Sequence, residues 1–138
     1  MRNRGFSLIE LLIAVVVVGV LAAIALPAYT SQIRKSARAE AQSWMTTAAG
    51  NQQQYLLNRR AYASSLDPSS VGYLGTKPPA DLNSKYTFTV VAVQAADGPP
   101  PTPPTFTLTA TATGAQASDV CPTLVIDSAG NRTPPACW

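Results

Sequence analysis

Apolar residues are concentrated in one stretch near the start of the chain. No residue between Glu10 and Tyr29 is charged, and residues 6–28 contain a single charge. About 20 apolar residues span the core of a bilayer as a helix, so the pattern predicts a membrane-inserted N-terminal helix. A secretory signal peptide cleaved near residues 23–25 and an ordinary single-span anchor are two other interpretations. Neither accounts for Glu10, because signal cores usually lack acids and a carboxylate inside a spanning helix costs roughly 2.5–3.5 kcal/mol.

The second stretch, from Thr30 to about Asn58, repeats with the period of a helix. Its stripe consists of Ile33, Ala37, Ala41, Trp44, Ala48, Gln52 and Tyr55. Spacings of three and four residues place these side chains on one helix face. Pro27 lies at the junction of the two stretches, where a proline kinks or breaks a helix. Because helical patterns flank it on both sides, we expect a bend there and a helix that continues.

The third part, residues 59–138, is rich in alternating patterns. Strands are predicted over residues 86–93, 105–113 and 123–127, and a turn over residues 128–131. Strict alternation of threonine with apolar residues indicates an antiparallel sheet with one buried face. The amphipathic half of the helix is the natural cover for that face, which makes the fold class α+β. Residues 97–104 predict an exposed proline-rich loop, and residues 59–83 a long connection that is either functional or mobile.

Composition narrows the chemistry that the chain can perform. Charged residues make up 12% of the 138 residues, the net charge is +3, and histidine is absent. Without imidazole, the Ser-His-Asp and Cys-His mechanisms and the common zinc sites are excluded. We find no nucleophile beside a base, no paired carboxylates and no phosphate loop. The sequence therefore predicts a protein that is not an enzyme, with no catalytic residue, no cofactor and no metal site.

The segment Gly5-Phe6-Ser7-Leu8-Ile9-Glu10-Leu11 resembles the class III signal of type IV pilins and related pseudopilins. The resemblance implies that an inner-membrane prepilin peptidase cuts between Gly5 and Phe6 and methylates the new N-terminal Phe6. It also implies that Glu10 is the acid that these proteins use in assembly. In the family, this glutamate pairs with the N-terminal amine of a neighbouring subunit in the filament core.

Two other states of the Glu10 carboxyl group are consistent with the sequence. Its carboxylate can reach the amine of its own Phe6, one helical turn away. It can also be protonated in the bilayer, because desolvation disfavours the charged form. Gly19 and Pro27 are weak points of a helix, and the resemblance implies that the stretch between them melts on assembly in some filaments. A membrane helix that is merely kinked is the alternative.

The C-terminal end carries Cys121 and Cys137, which enclose 15 residues. An extracytoplasmic location is oxidising, and two cysteines form one pair, so we expect a disulfide. A free thiol is the alternative, and a zinc site lacks ligands. The segment resembles the disulfide-bounded end of PilE-type pilins of Gram-negative bacteria, which are often minor subunits.

Three basic residues, Arg34, Lys35 and Arg38, follow the predicted span. They make the positive-inside bias weak or reversed. The orientation with the N-terminus in the cytoplasm follows from the resemblance, because the prepilin peptidase acts on that side. We expect the three side chains to be solvated or paired with acids of neighbouring subunits, and a DNA contact there is weakly supported.

The resemblance implies the type IV pilin fold: a long N-terminal helix packed on an antiparallel sheet of about four strands. Residues 1–5 would be the leader, residues 6–29 the transmembrane and filament-core half of the helix, and residues 30–138 the pilin head. The partners would be other pilin subunits, the prepilin peptidase, the inner-membrane assembly machinery and the membrane. The protein would reside in the inner membrane and then in an extracellular pilus that serves adhesion, twitching motility or DNA uptake.

Two further hypotheses remain beside this one. A pseudopilin of a type II secretion system would share the N-terminal signal, but it would typically hold calcium and lack the disulfide. A monomeric, membrane-anchored binding module would fail to assemble.

Overall fold

The structure is a computed structural model that describes residues 7–96 and 101–138. It divides into two compact units, Met1–Arg34 and Lys35–Trp138. One helix, α1 (Leu8–Arg59), supplies the described part of the first unit and the first element of the second. It passes through Pro27 without ending, so the predicted long helix is confirmed over the residues that the structure describes.

In α1, five of the seven side chains of the predicted stripe are buried, whereas Ile33 is 46% exposed and Tyr55 is only partly buried. The buried residues of α1 are Ala37, Ala41, Trp44, Met45, Ala48 and Gln52. Small residues at three of these positions let the helix lie close to the sheet, while Trp44 and Met45 fill the remaining volume of the core. The amphipathic half of the helix therefore covers the sheet, as its pattern predicts.

The sheet has four antiparallel strands in the order β1-β2-β3-β4. The strands are β1 (Tyr86–Val93), β2 (Thr105–Ala112), β3 (Thr123–Asp127) and β4 (Arg132–Thr133). A short helix, α2 (Ala80–Asn83), precedes β1, and 3₁₀ turns cover Gly114–Ser118 and Pro135–Cys137. Three strands lie where alternation predicts them, and the two-residue β4 is an addition that the pattern did not predict.

Alternation in β2 separates a buried face from an exposed one. Phe106, Leu108 and Ala110 are almost fully buried, whereas the threonines between them point to the other face. Together with exposed threonines and valines of β1 and β3 they form a surface that we call the outer sheet face. Its members on β1 to β3 are Thr87, Thr89, Val91, Val93, Thr105, Thr107, Thr109, Thr111, Thr123, Val125 and Asp127. Asp127 is the one charged residue among these positions.

The connection from α1 to α2 is folded into a defined shape over residues 60–79, which we call the αβ loop. The backbone N–H groups of Ser64 and Ser65 donate to the carbonyl of Gly72 at 3.1 and 3.2 Å, and Leu74 N–H donates to Ser65 at 2.9 Å. Gly72 has a φ of 84°, and a Cβ there would lie 2.7 Å from Ser64 Oγ. The loop therefore needs glycine at this position for its conformation, and the Ser64 hydroxyl would have to move to admit a Cβ.

Candidate assembly helix and disulfide-bonded end

The first unit exposes an apolar helical surface. No described residue of α1 before Ala37 is buried, and the large apolar side chains from Leu8 to Leu26 are all more than half exposed. By length and composition, α1 is the one helix among the described residues that could cross a membrane. A secretory signal would satisfy the same criterion, but the core helix of a soluble protein would be buried.

Glu10 lies in the first turn of α1, and its side chain is exposed among apolar neighbours. The carboxylate forms no ion pair with any residue in the described part of the chain. Gly5 and Phe6, the predicted cleavage junction and methylation site, lie outside the described residues. Cleavage, methylation and the partner of Glu10 therefore stay predictions.

Gly19 and Pro27 both lie within continuous helix. Pro27 has no N–H to donate to a carbonyl one turn earlier, which removes one bond of the helical ladder. Just after it, Thr30 Oγ1 donates to the Pro27 carbonyl at 3.0 Å and Ser31 Oγ donates to the Ala28 carbonyl at 2.9 Å. A Cβ on Gly19 would meet nothing within 4 Å, so glycine is not needed there for space in this state. Melting of residues 20–26 on assembly stays a prediction.

Arg38 forms an ion pair within its own chain. Its Nη1 lies 3.1 Å from Asp119 Oδ2, 81 residues further along the chain, and the two side chains are only 16% and 6% exposed. The expectation that Arg38 is solvated or paired between subunits is therefore wrong. The ion pair joins α1 to the segment that enters the disulfide-bonded end, and desolvation makes it sensitive to loss of either partner.

Tyr86 and Gln116 extend this network into the core. Gln116 Nε2 donates to the Tyr86 hydroxyl at 2.9 Å, and its distance to Asp119 Oδ2 is 3.4 Å. Burial raises the pKa of Tyr86, an effect that the hydrogen bond from Gln116 opposes. This network could not be predicted from the sequence, because its members are separated by up to 81 residues and meet only in the folded chain.

The disulfide between Cys121 and Cys137 is present, as the sequence predicts. It closes a segment that contains β3 and β4, and Gln42 Nε2 on α1 donates to the Cys137 carbonyl. The guanidinium of Arg132 lies 5.1 Å from the ring centroid of Trp138, whose Nε1 donates to Thr133 at 3.3 Å. The C-terminal end is thus held to the helix and sheet by a covalent bond and by polar contacts.

The acids near this end are already engaged by the chain itself. Asp127 accepts hydrogen bonds from Ala129 N–H and from the backbone and side chain of Asn131 in the β3–β4 turn. The Asn131 side chain and then these backbone donors lower the pKa of the Asp127 carboxyl. Within the described ranges, no three or more Cys, Asp or Glu side chains are grouped to hold a metal ion.

Gln52 makes a structural contact that the sequence indicated only indirectly. Its side-chain amide donates to Ala63 O at 2.9 Å and accepts from Ala63 N–H at 2.8 Å, so it holds the start of the αβ loop against α1. The signal was its place in the apolar stripe, because a glutamine at a buried position needs polar partners.

An exposed apolar N-terminal helix and an α+β unit closed by a disulfide define a structural subunit with a membrane-inserted segment. Comparisons with known proteins agree with this class. The family described as type IV minor pilin ComP, DNA uptake sequence receptor, matches residues 27–125, and the prokaryotic N-terminal methylation motif matches residues 1–26. This chain belongs to the type IV pilin family, and its residues 27–125 match the ComP-like model of that family.

Individual relatives support the assignment. The type IV major pilin protein PilE1 of Neisseria gonorrhoeae is 36% identical over 91 residues, which cover 64% of this chain and 51% of that protein. The fimbrial protein EcpC of Eikenella corrodens is 33% identical over 93 residues, covering 67% and 56%. The chain spans about half the length of the curated relatives it matches.

A solved type IV pilin from Shewanella oneidensis has the same fold, with a TM-score of 0.54 and 25% identity over 76% of this chain and 97% of that one. The predicted pilin fold is confirmed. Pilins are structural subunits and not enzymes, and the family together with the apolar helix places this protein in the inner membrane before assembly and in the pilus afterwards.

Proposed function

We propose that this chain is the precursor of a type IV pilus subunit. The match of residues 1–26 to the N-terminal methylation motif supports removal of residues 1–5 by a prepilin peptidase and methylation of Phe6. Residues 6–29 would then leave the membrane, through the inner-membrane assembly machinery, and pack against other pilin subunits. Burial of the apolar side chains that α1 exposes would supply most of the attraction, and residues 30–138 would form the head.

The test of this proposal is the intact mass, without reduction, of protein sheared from the cell surface. We expect a chain that begins at Phe6, carries one added methyl group and lacks the two hydrogens of a disulfide. A chain that still begins at Met1, or one that begins at Leu26 and is confined to the periplasm, would overturn it. The match to a type IV pilin family favours a pilus subunit over a pseudopilin of a type II secretion system.

We further propose that this is a minor subunit that gives the pilus a DNA-binding surface. The observation that carries this proposal is the match of residues 27–125 to a family described as a DNA uptake sequence receptor. Adhesion and twitching motility would be properties of the whole filament and its motors.

Three exposed arginines of the second unit are the candidates for phosphate contacts. Arg59 is the last residue of α1, and Arg60 follows it. Arg132 lines an open groove beside Gln53 that also includes Asp127, whose carboxylate already accepts hydrogen bonds within the β3–β4 turn. All three side chains are exposed, and none forms a salt bridge within the described residues. Arg132 also stacks on Trp138, which fixes one guanidinium in place.

The binding of short duplex DNA to the full chain in detergent micelles, measured over a range of salt concentrations, tests the proposal. If all three arginines contact phosphates, the slope of log K against log salt is about −3, at roughly −0.9 for each contact. The double variant Arg59→Gln/Arg60→Gln should reduce the slope by about 2 and Arg132→Gln by about 1. The matched control Lys35→Gln/Lys85→Gln should leave the slope unchanged. Absence of binding by the unmodified chain at low salt would overturn the DNA proposal and leave pilus assembly unaffected.

A further inference from the structure

A separate cavity of about 410 Å³ opens between the αβ loop and the start of β1. It lies wholly within the second unit and includes none of the three arginines proposed to bind DNA. Its volume is in the range of pockets that hold small ligands, roughly 300–1,000 Å³. This open cavity is therefore a candidate site that is separate from the residues of the DNA proposal.

The walls of the cavity are held in place by hydrogen bonds. Asp67 N–H donates to Ser65 Oγ at 3.0 Å, and Asp67 Oδ1 accepts from the backbone and the hydroxyl of Ser69 at 2.9 and 2.8 Å. On the opposite wall, Trp44 Nε1 donates to the Lys77 carbonyl at 3.2 Å. Walls fixed in this way lose little conformational entropy when a ligand binds.

The floor of the cavity is apolar. Leu66, Pro78 and the half-buried ring of Phe88 form it, and the exposed Pro68 also lines the cavity. The Phe88 ring packs in a T-shaped arrangement against Trp44 at a centroid distance of 4.5 Å, so its orientation is set by the core. A ligand must therefore offer an apolar face toward this floor.

The rim is polar and carries both signs of charge. The side chains of Lys77, Asn83 and Thr87 form no hydrogen bond or ion pair with any other residue that the structure describes. Backbone and side-chain hydrogen bonds from Ser69 lower the pKa of the Asp67 carboxyl, which is therefore ionised at neutral pH. The rim thus offers a carboxylate acceptor, an ammonium donor, an amide and a hydroxyl around an apolar floor.

Charge at the rim disfavours ligands that carry a single sign of charge. A phosphodiester would meet the Asp67 carboxylate, and a cationic segment would meet the Lys77 ammonium. A neutral ligand whose hydroxyls both donate and accept satisfies every rim group without a like-charge contact. One face of a pyranose ring consists of C–H groups and suits the apolar floor.

We propose that this cavity binds a neutral pyranose, the terminal sugar of an uncharged glycan that the pilus meets outside the cell. Asn83 and Lys77 hydrogen-bond its hydroxyls, Asp67 accepts from them, and the Phe88 edge of the floor contacts the C–H face. A pilus subunit with this site binds sugar and DNA on different residues of the same head.

The experiment titrates the full chain in phosphocholine micelles with the methyl glycosides of glucose, galactose, N-acetylglucosamine and N-acetylgalactosamine. Glucoside and maltoside detergents are avoided because they would compete for the site. Saturation-transfer NMR detects binding, and the backbone amide signals of Thr87 and Phe88 report the location. We expect at least one glycoside to bind saturably with these two amides among those that shift.

Matched variants separate the pocket from the rest of the surface. Asn83→Ala and Lys77→Gln should each weaken binding about three- to tenfold, the effect of losing one net hydrogen bond. Asn58→Ala and Lys35→Gln, which alter exposed residues outside the cavity, should have no effect. Equal melting temperatures of the pocket and control variants exclude unfolding as the cause.

Three results would overturn the proposal: no binding of any of the four glycosides, binding that both pocket variants leave unchanged, or amide shifts at Thr87 and Phe88 only with duplex DNA. The first two would leave the DNA proposal standing, because that proposal is tested at Arg59, Arg60 and Arg132. Loss of DNA binding in the arginine variants would likewise leave glycoside binding intact.

Discussion

In the second unit, three glutamine side chains form hydrogen bonds between different segments of the chain. Gln42 donates to the carbonyl of Cys137, Gln52 forms two hydrogen bonds to Ala63, and Gln116 donates to Tyr86. Gln52 and Gln116 are the two buried polar residues among the described parts of the chain. A primary amide suits these positions because it carries both a donor and an acceptor and brings no charge into the core.

Replacement of Gln52 tests this interpretation. Gln52→Ala should lower the free energy of unfolding of the second unit by about 2–4 kcal/mol, because it strands the buried N–H and carbonyl of Ala63. Chemical denaturation of the full chain, followed by the fluorescence of buried Trp44, measures the change. The exposed neighbour provides the control, since Gln54→Ala should change the midpoint little. Equal midpoints for the two variants would contradict the role of Gln52.

Tyr86 should make the second unit sensitive to alkali. Burial raises its pKa in the folded chain above the ordinary value of 10.0, so the folded state retains the proton to a higher pH than the unfolded chain. The stabilising effect is complete below the unfolded pKa and is lost as the pH rises through the folded pKa. Tyr86→Phe should therefore flatten the fall in unfolding free energy above about pH 10, whereas Tyr29→Phe should not. A fall of unchanged steepness in Tyr86→Phe would refute this prediction.

At the scale of elements, periodic patterns predicted much of what the structure contains. The stripe on α1 and the alternation in β1, β2 and β3 arise because one face of each element is buried. The resulting period can be recognised within a short stretch of sequence. The elements α2 and β4 contain four and two residues, too few for a period to be read. The pairing of Arg38 with Asp119 could not be predicted from the sequence, because the chain contains several acids and only the tertiary fold places one of them beside Arg38.

The disulfide should stabilise the strands that it encloses. Removal of the bond in a Cys121→Ser/Cys137→Ser variant should cost about 3 kcal/mol in the chain-entropy model for a loop of this size. Amide hydrogen exchange should show the loss first in β3, β4 and the 3₁₀ turn Pro135–Cys137. Reduction of the unmodified chain serves as an independent control and should give the same pattern. Unchanged protection in β3 after both treatments would show that packing alone holds this end.

At the scale of the whole molecule, the residues proposed to act in assembly are separate from those that form the buried core. The apolar residues of α1 before Lys35 take no part in the buried core of the second unit, whose core members begin at Ala37. Changes in the first unit should therefore alter polymerisation without unfolding the second. The division of the chain into two compact units supports this separation.

Glu10→Gln tests this separation and the proposed role of the carboxylate. We expect the variant to reach the inner membrane and to keep the unfolding midpoint of the second unit, but to lose most of its incorporation into filaments. A buried charge that loses its partner costs about 3–5 kcal/mol, which would act at each subunit contact. The amount of the chain in sheared pili relative to membranes measures the effect, and Glu40→Gln, on an exposed residue of the second unit, is the control. Normal incorporation of Glu10→Gln would rule out an essential charge pair.

The alternation of β2 allows the surface of this subunit to change while its interior stays the same. Phe106, Leu108 and Ala110 contact the core, whereas Thr105, Thr107 and Thr109 face outward from the same eight residues. Because the two sets lie on opposite faces of the sheet, substitutions in one set should add to those in the other without coupling. A lineage under pressure from antibodies or phage could therefore replace the outward residues one at a time, and each intermediate would still fold. The same property makes the outer sheet face a place to display a foreign epitope on a living pilus.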